Sequence, residues 1–107
     1  MPDDAPRIGV AIGTVGSQPR WWLESAIRLE AAGYRAVWAW DQLVGRGDKT
    51  VPVVEQWTIL AAAAGATSRL GVGTFVTNVV LREPALLAKM AATLQNASGG
   101  RLTLSLG

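Results

Sequence analysis

The chain has 107 residues, enough for one small domain, and half of them are hydrophobic while only 17% are charged. That composition is typical of a globular protein and excludes a disordered tail. The net charge is only +2, and the basic residues are scattered singly, so the pattern does not indicate a nucleic-acid partner.

The chain contains no cysteine and no histidine. Disulfides, thiolate chemistry and cysteine-based metal sites are therefore excluded, and the commonest general base and metal ligand is missing. We expect no metal. The first residues lack the order of a signal peptide, and no apolar run reaches the ~18 residues of a membrane helix. A cytoplasmic protein without membrane contact is the resulting expectation.

Short apolar runs alternate with helical patterns along the chain. The predicted strands lie at 7–13, 35–40, 70–76 and 101–107, with helices between Gln18 and Gly33, over 55–66, and between Arg82 and Ser98. This alternation is typical of an α/β fold, a parallel sheet covered by helices. Two architectures stay open at this point, an open doubly wound sheet and a (β/α)₈ barrel.

The last predicted strand stops at Gly107. A parallel strand needs neighbours on both edges and cover on both faces. We therefore expect residues 7–107 to be part of a larger domain, preceded by an N-terminal tail over residues 1–6.

Asp41 is the most conspicuous polar residue near a strand end. In both architectures ligands bind beyond the carboxyl ends of the strands, and Asp41 ends an otherwise apolar run. Two interpretations stand side by side. Asp41 is either a ligand-facing acid or hydrogen-bond acceptor, or a helix cap or loop partner of Arg46 or Lys49.

Side chains alternate between the two faces of a strand, so Trp38 and Trp40 share one face. If Asp41 faces a pocket, both tryptophans face the helices, and core packing is their predicted role. The glycines at 71 and 73 do not predict a nucleotide loop, because they precede residues that continue the strand rather than a helix.

Several segments, taken together and in order, resemble the luciferase-like monooxygenase superfamily of flavin- or deazaflavin-dependent oxidoreductases. Ala31–Trp38 resembles the family's turn from a helix into a strand, and Trp38–Leu43 resembles its W-x-x-D-H segment. Glu55–Thr74 and Leu81–Leu102 resemble the following helix–strand and helix segments. The resemblance covers nearly the whole chain.

The resemblance implies that residues 7–107 are strands one to four of a (β/α)₈ TIM barrel. It also implies a cofactor, coenzyme F420 by preference or FMN, at the carboxyl-end mouth of the barrel. Asp41 matches an aspartate that helps to hold the deazaflavin. Gln42 takes the place of the family's catalytic histidine, and an amide cannot transfer a proton as imidazole does.

Three further cofactor contacts are implied by the resemblance. Family members carry a non-prolyl cis peptide after the third strand that presses on the cofactor ring, and its position matches Phe75 and Val76. Asn78 matches a nearby polar contact with the cofactor. The phosphate-binding residues of the family lie beyond the fourth strand.

Two function hypotheses follow. The first is an F420- or flavin-dependent oxidoreductase, represented here by its N-terminal half, that passes hydride between the ring and a small organic substrate. The second is a non-catalytic half-barrel that self-associates through exposed strand edges. Both are compatible with a homo-oligomer.

Overall fold

The computed structural model describes residues 7–107, and the predicted tail over residues 1–6 lies outside them. The elements are β1 (Gly9–Ile12), α1 (Pro19–Ala31), β2 (Ala36–Ala39), α2 (Gln56–Ala66), β3 (Gly71–Thr74), α3 (Pro84–Ala97) and β4 (Leu102–Thr103). Their order is the predicted one. Each strand is shorter than its apolar run at both ends.

The four strands form one sheet in the order β1-β2-β3-β4, and each neighbouring pair is parallel. A doubly wound sheet reverses its strand order and carries helices on both faces, whereas a barrel adds strands in sequence with helices outside. The sequential order here belongs to the barrel class. The α/β fold expected from the sequence is confirmed.

Local sequence explains where the helices begin and end. Proline occupies the first turn of α1 and of α3, where its missing N–H has no helical partner to lose. The carboxylates of Glu55 and Glu83 accept N–H groups from the first turns of α2 and α3. After α1 the chain turns at Gly33, whose φ of 90° favours glycine.

The core lies between one face of the sheet and the three helices. The register aligns Val10, Val37 and Val72 in one row across β1, β2 and β3. Val37 and Val72 are buried there with Trp22 of α1 and Leu60 of α2. Because helices pack closely on this face, it carries branched and small side chains.

The tryptophans of the second strand lie on the opposite face, so the expectation that they pack against the helices is wrong. Trp38 lies over Gly73, its register partner on β3, and its indole also reaches over Gly9 of β1. A Cβ atom at either glycine would collide with the indole. Trp40 is 40% exposed. Glycines on this face leave room for an indole, whereas Val37 and Ala39 take the positions against the helices. Asp41 lies beyond the end of β2, so the alternation of side chains along the strand does not determine which face its side chain points to.

At the amino ends of the strands, the Glu30 carboxylate accepts the backbone N–H groups of Ser68, Arg69 and Leu70 at 3.0, 2.7 and 2.8 Å. These bonds, led by that from Arg69, lower the pKa of Glu30. One carboxylate thus satisfies three consecutive amides at the start of β3.

Arg101 closes the same end from the other side. Its guanidinium donates to the carbonyls of Leu70 at 2.8 Å, Ala64 at 2.7 Å and Ser98 at 2.6 Å, and to the Thr67 hydroxyl at 2.9 Å. These acceptors belong to the end of α2, the start of β3 and the end of α3. A single fork of donors therefore joins three segments whose carbonyls have no strand or helix partner.

Candidate functional site

An open cavity of about 670 Å³ lies at the carboxyl ends of β2 and β3. Its lining residues are Trp40, Asp41, Gln42, Phe75, Val76, Asn78, Val79, Val80 and Gly107. All five residues singled out from the sequence are among them, so the fold brings them together. The volume falls in the range of small-molecule sites, ~300–1,000 Å³.

Asp41 is buried at the edge of this cavity and is fully engaged. Its Oδ2 accepts the Asn78 backbone N–H at 2.8 Å and the Arg82 Nη1 at 2.6 Å, while its Oδ1 accepts the Arg82 Nη2 at 3.0 Å. Only 1% of its side chain is exposed. Its cationic partner is therefore Arg82, and not Arg46 or Lys49, which the second of the two interpretations named.

Arg82 joins a second carboxylate to this pair. Its Nη2 also donates to Glu55 Oε2 at 2.8 Å. The hydrogen bonds that Arg82 donates to the Asp41 carboxylate raise the pKa of Arg82. Burial opposes ionisation of Glu55, but hydrogen bonds from the Thr58 hydroxyl and from the Thr58 and Trp57 amides outweigh it and lower the pKa of Glu55. The cation thus connects the end of β2, the start of α2 and the segment before α3.

The cavity wall beside Asp41 is formed by Phe75 and Val76, which directly follow β3. The peptide bond between them is cis, at the position that the family resemblance implied. Phe75 is 59% exposed, although its backbone N–H donates to the Ala39 carbonyl at 2.9 Å. Thr77 follows them, is fully buried and donates its backbone N–H to the Ser105 carbonyl at 2.8 Å.

Gln56, at the start of α2, is fully buried behind this wall. Its Nε2 donates to the carbonyls of Ala39 at 2.7 Å and Val76 at 3.3 Å, and its Oε1 accepts the Thr77 hydroxyl at 2.9 Å. Reasoning from the sequence missed this residue. The available signal was an amide at the head of a helix that otherwise carries only apolar and small residues and one threonine.

Gln42 carries the unsatisfied polar atom of the site. Its Oε1 is buried, yet it has no hydrogen-bond partner among residues 7–107. A buried acceptor without a donor costs about 1–3 kcal/mol. Gln42 also lines the cavity, although the Oε1 atom itself has almost no accessible surface.

A second cavity, of about 460 Å³, lies between α2 and α3. Its walls come mainly from small and apolar side chains, including Ala61, Gly65, Met90 and Leu94. It does not include any of the residues singled out from the sequence. Across residues 7–107 no group of three or more metal-ligating side chains occurs, and no helix there has the length and hydropathy needed to cross a bilayer.

Comparison with known proteins identifies the family. The model of the luciferase-like monooxygenases matches residues 5–107. The chain belongs to this family. The fold and cavity described above are therefore those of a luciferase-like protein, as the sequence motifs indicated.

Among curated relatives, the phthiodiolone/phenolphthiodiolone dimycocerosates ketoreductase of Mycobacterium tuberculosis is 34% identical over 113 residues. The alignment covers 100% of this chain and 29% of the ketoreductase. The same enzyme of Mycobacterium bovis matches equally well. The chain thus spans under a third of the length of these relatives.

Solved structures of the family superpose closely. An F420-dependent secondary alcohol dehydrogenase in complex with an F420–acetone adduct has a TM-score of 0.86 at 29% identity, covering 94% of this chain and 31% of that one. The F420-dependent tetrahydromethanopterin reductase of Methanopyrus kandleri has a TM-score of 0.75 at 25% identity, with 94% and 26% coverage.

An FMN complex shares the fold. The oxygenating constituent of 3,6-diketocamphane monooxygenase from Pseudomonas putida, in complex with FMN, has a TM-score of 0.78 at 19% identity, with 94% and 29% coverage. At that identity the likeness concerns the fold alone. The structural neighbours thus include two proteins named as F420-dependent and one solved with FMN.

Proposed function

We propose that this chain supplies part of the active site of an oxidoreductase that binds coenzyme F420, or alternatively FMN, in the cavity beyond β2 and β3. Hydride would pass between the cofactor and a small organic substrate. The observation that carries the proposal is that two separate segments, residues 41–42 and 75–78, converge on one largely apolar cavity.

The side chains present fit a flat, partly polar ring. Phe75, Val76, Val79 and Val80 expose apolar surface to the cavity, which suits the faces of such a ring. Gln42 and Asn78 supply polar groups that can meet the hydrogen-bonding atoms at its edge. When bound, F420 or FMN supplies the hydride chemistry, and the protein binds and orients it.

Each predicted site residue receives a role in this proposal. Phe75 and Val76 pack on the ring, and Asn78 hydrogen-bonds the cofactor. The Asp41 carboxylate is occupied by Arg82 and by the Asn78 N–H, so it supports the cofactor by fixing Asn78. Gln42 hydrogen-bonds cofactor or substrate and, as an amide, leaves proton transfer to another group.

F420 is preferred over FMN because both F420-dependent structures share 25% identity or more with this chain, whereas the FMN complex shares 19%. We further propose a substrate with a ketone or secondary alcohol. The supporting observation is that one relative is named a ketoreductase and one structural neighbour a secondary alcohol dehydrogenase. A cytoplasmic location and the absence of a nucleic-acid partner stay predictions.

The test is a titration of this chain, and of a longer polypeptide that contains it, with F420 and FMN, followed by fluorescence. We expect saturable binding with higher affinity for F420. Phe75→Ser should weaken binding at least tenfold. The matched control is Trp21→Ser, which alters an exposed aromatic of α1 that does not line the cavity (54% against 59% exposed). No spectral change with either cofactor would remove the proposal.

A second candidate is that the 107-residue chain acts without catalysis and forms homo-oligomers. The observation that favours it is the sheet face opposite the helices, where Trp40 stands exposed between the edge strands β1 and β4. Unpaired edges and exposed apolar surface promote association. Sedimentation over a range of protein concentrations should show dimers or larger species, and a monomer at every concentration would contradict this candidate.

A further inference from the structure

The Phe75–Thr77 segment, here called the wall segment, is held from behind by one side chain. Gln56 contacts it twice, through the Val76 carbonyl and through the Thr77 hydroxyl. The same amide donates to the Ala39 carbonyl at the end of β2. A single buried group therefore sets the wall segment relative to the strand that leads to Asp41 and Gln42.

The geometry admits one orientation of this amide. In the present orientation two carbonyls face the NH₂ group and a hydroxyl faces the oxygen, so every contact joins a donor to an acceptor. A flipped amide would place its oxygen against the Ala39 and Val76 carbonyls. The hydrogen-bond pattern thus makes Gln56 a directional connection rather than a space-filling side chain.

Gln56 belongs to a helix that is packed into the core. Gln56 begins α2, and the Trp57, Ile59 and Leu60 side chains of that helix are buried in the core. The wall segment itself exposes Phe75 and Val76 to the cavity. The packed helix α2 therefore holds the wall segment in place through the hydrogen bonds of the Gln56 amide.

We propose that Gln56 is a positioning residue that sets the wall segment at the place where the cofactor ring packs. The inference rests on the proposed function and extends it to a side chain that does not line the cavity. An apolar residue of similar size would fill the same volume but leave the Val76 carbonyl and the Thr77 hydroxyl without their Gln56 partner. The Ala39 carbonyl would keep only the Phe75 N–H.

The first measurement needs no ligand. In Gln56→Met, which keeps the length and volume of the side chain, we expect the NMR amide resonances of Phe75, Val76 and Thr77 to shift. The hydrogen-exchange protection of the Thr77 N–H should fall at least tenfold. Thr67→Val is the matched control. It removes a buried hydroxyl hydrogen bond to Ala63 at the opposite end of the sheet and should leave the wall resonances in place.

The second measurement is the affinity and fluorescence spectrum of bound F420 and FMN. We expect Gln56→Met to weaken binding at least tenfold and to alter the bound spectrum, and Thr67→Val to change affinity less than twofold. Thr77→Ser keeps the hydroxyl and should bind like the wild type. Adding Thr77→Val to Gln56→Met should reduce cofactor affinity little further, because both changes break the same hydrogen bond.

The outcomes separate this inference from the proposed function. If the wild type binds neither cofactor, the proposed function fails, and the ligand-free spectra still decide whether Gln56 sets the wall segment. Unmoved wall resonances in Gln56→Met overturn the inference, and so does full affinity despite moved resonances. Should Gln56→Met fail to fold, Thr77→Val takes its place, since it removes only the contact with Gln56 Oε1. A shifted Phe75 amide resonance then supports the inference, and an unmoved one overturns it.

Discussion

The two ends of the sheet use the same physical device for different purposes. At the amino ends, Glu30 and Arg101 satisfy backbone amides and carbonyls of neighbouring loops. At the carboxyl ends, Arg82 and Gln56 connect loop segments in a similar way. In both places one branched polar side chain replaces several backbone hydrogen bonds that the short strands cannot provide.

The two ends of the sheet differ in their exposed side chains and unpartnered polar atoms. The carboxyl end carries exposed apolar side chains, a cavity of about 670 Å³ and the unpartnered Gln42 Oε1. At the amino end, the charged groups of Glu30 and Arg101 bind backbone atoms around the start of β3. A barrel-type sheet thus separates stability from binding along the strand direction. Mutations at the two ends should therefore have separable effects.

The largest effect is expected from Arg82→Met. It leaves the buried Asp41 carboxylate without its counter-ion, and breaking such a pair costs about 3–5 kcal/mol of unfolding free energy. Urea denaturation measures it, and cofactor affinity should fall together with stability. The double variant Asp41→Asn/Arg82→Met removes the lone charge and should recover part of the loss. Equal stabilities of the single and double variants would contradict this account.

Arg101→Met should cost about 2 kcal/mol, because carbonyls around the start of β3 lose their donor. Unlike Arg82→Met, it should leave cofactor affinity within twofold of the wild type. Arg101→Lys is the control, since it keeps the charge but not the planar fork and should restore only a minor part of the stability. A large loss of affinity in Arg101→Met would break the separation between the two ends.

Glu55→Gln tests the pH dependence of the carboxyl end. The folded-state pKa of Glu55 is lowered below its ordinary value of 4.5, so its stabilisation is complete above that value and is lost as pH falls through the lowered pKa. We expect a cost of about 1 kcal/mol at pH 7, the usual loss of a helix cap, and a smaller difference from wild type at pH 3.

Glu83→Gln is the matched control for Glu55→Gln. Glu83 caps α3 in the same manner through the Leu86 N–H at 2.9 Å, and hydrogen bonds from Ala85 and Leu86 lower its pKa. Since Arg82 forms its ion pairs with Asp41 and Glu55, the effect of Glu83→Gln should be the smaller one. A larger effect of Glu83→Gln would show that capping alone, without the ion pair, sets the acid sensitivity.

The smallest effect on stability is expected from Gln42→Met. The change removes a buried acceptor that has no partner among residues 7–107, so unfolding free energy should stay the same or rise by up to ~1 kcal/mol. Binding of cofactor or substrate should nevertheless weaken. Thermal denaturation and fluorescence titration of the same samples measure both, and a clear loss of stability would show that Gln42 has a structural role instead.

Much of the fold could be predicted because its signals are local. Pro19 and Pro84 mark helix starts, Gly33 marks a helix end, and each apolar run between them corresponds to a strand. The order of these elements led to an α/β fold with a parallel sheet. The positions of Asp41, Gln42 and Asn78 after strands then placed them at one end of that sheet, where the cavity is found.

The errors concern directions and partners. Alternation along the predicted strand 35–40 placed Trp38 and Trp40 on one face, but the choice of face depended on Asp41, which lies beyond β2. The helix-covered face was instead decided by Val37 and Ala39, and the tryptophans took the face where Gly73 and Gly9 leave space. Arg82 lies 41 positions from Asp41, so a search among neighbouring loop residues could not find it.

The sequence by itself determined the order of strands and helices, the family, and the set of residues that lie at the carboxyl ends. These follow from short-range patterns of apolarity, proline and glycine, and from motifs that are contiguous in the chain. Tertiary structure alone decided which of those residues are free to meet a ligand. Arg82 pairs with Asp41, Gln56 reaches the end of β2 from α2, and the Gln42 Oε1 stays buried without a partner among residues 7–107. Hydrogen bonds and ion pairs form between atoms that the fold brings within about 3 Å, and that proximity is a property of the packed sheet and helices.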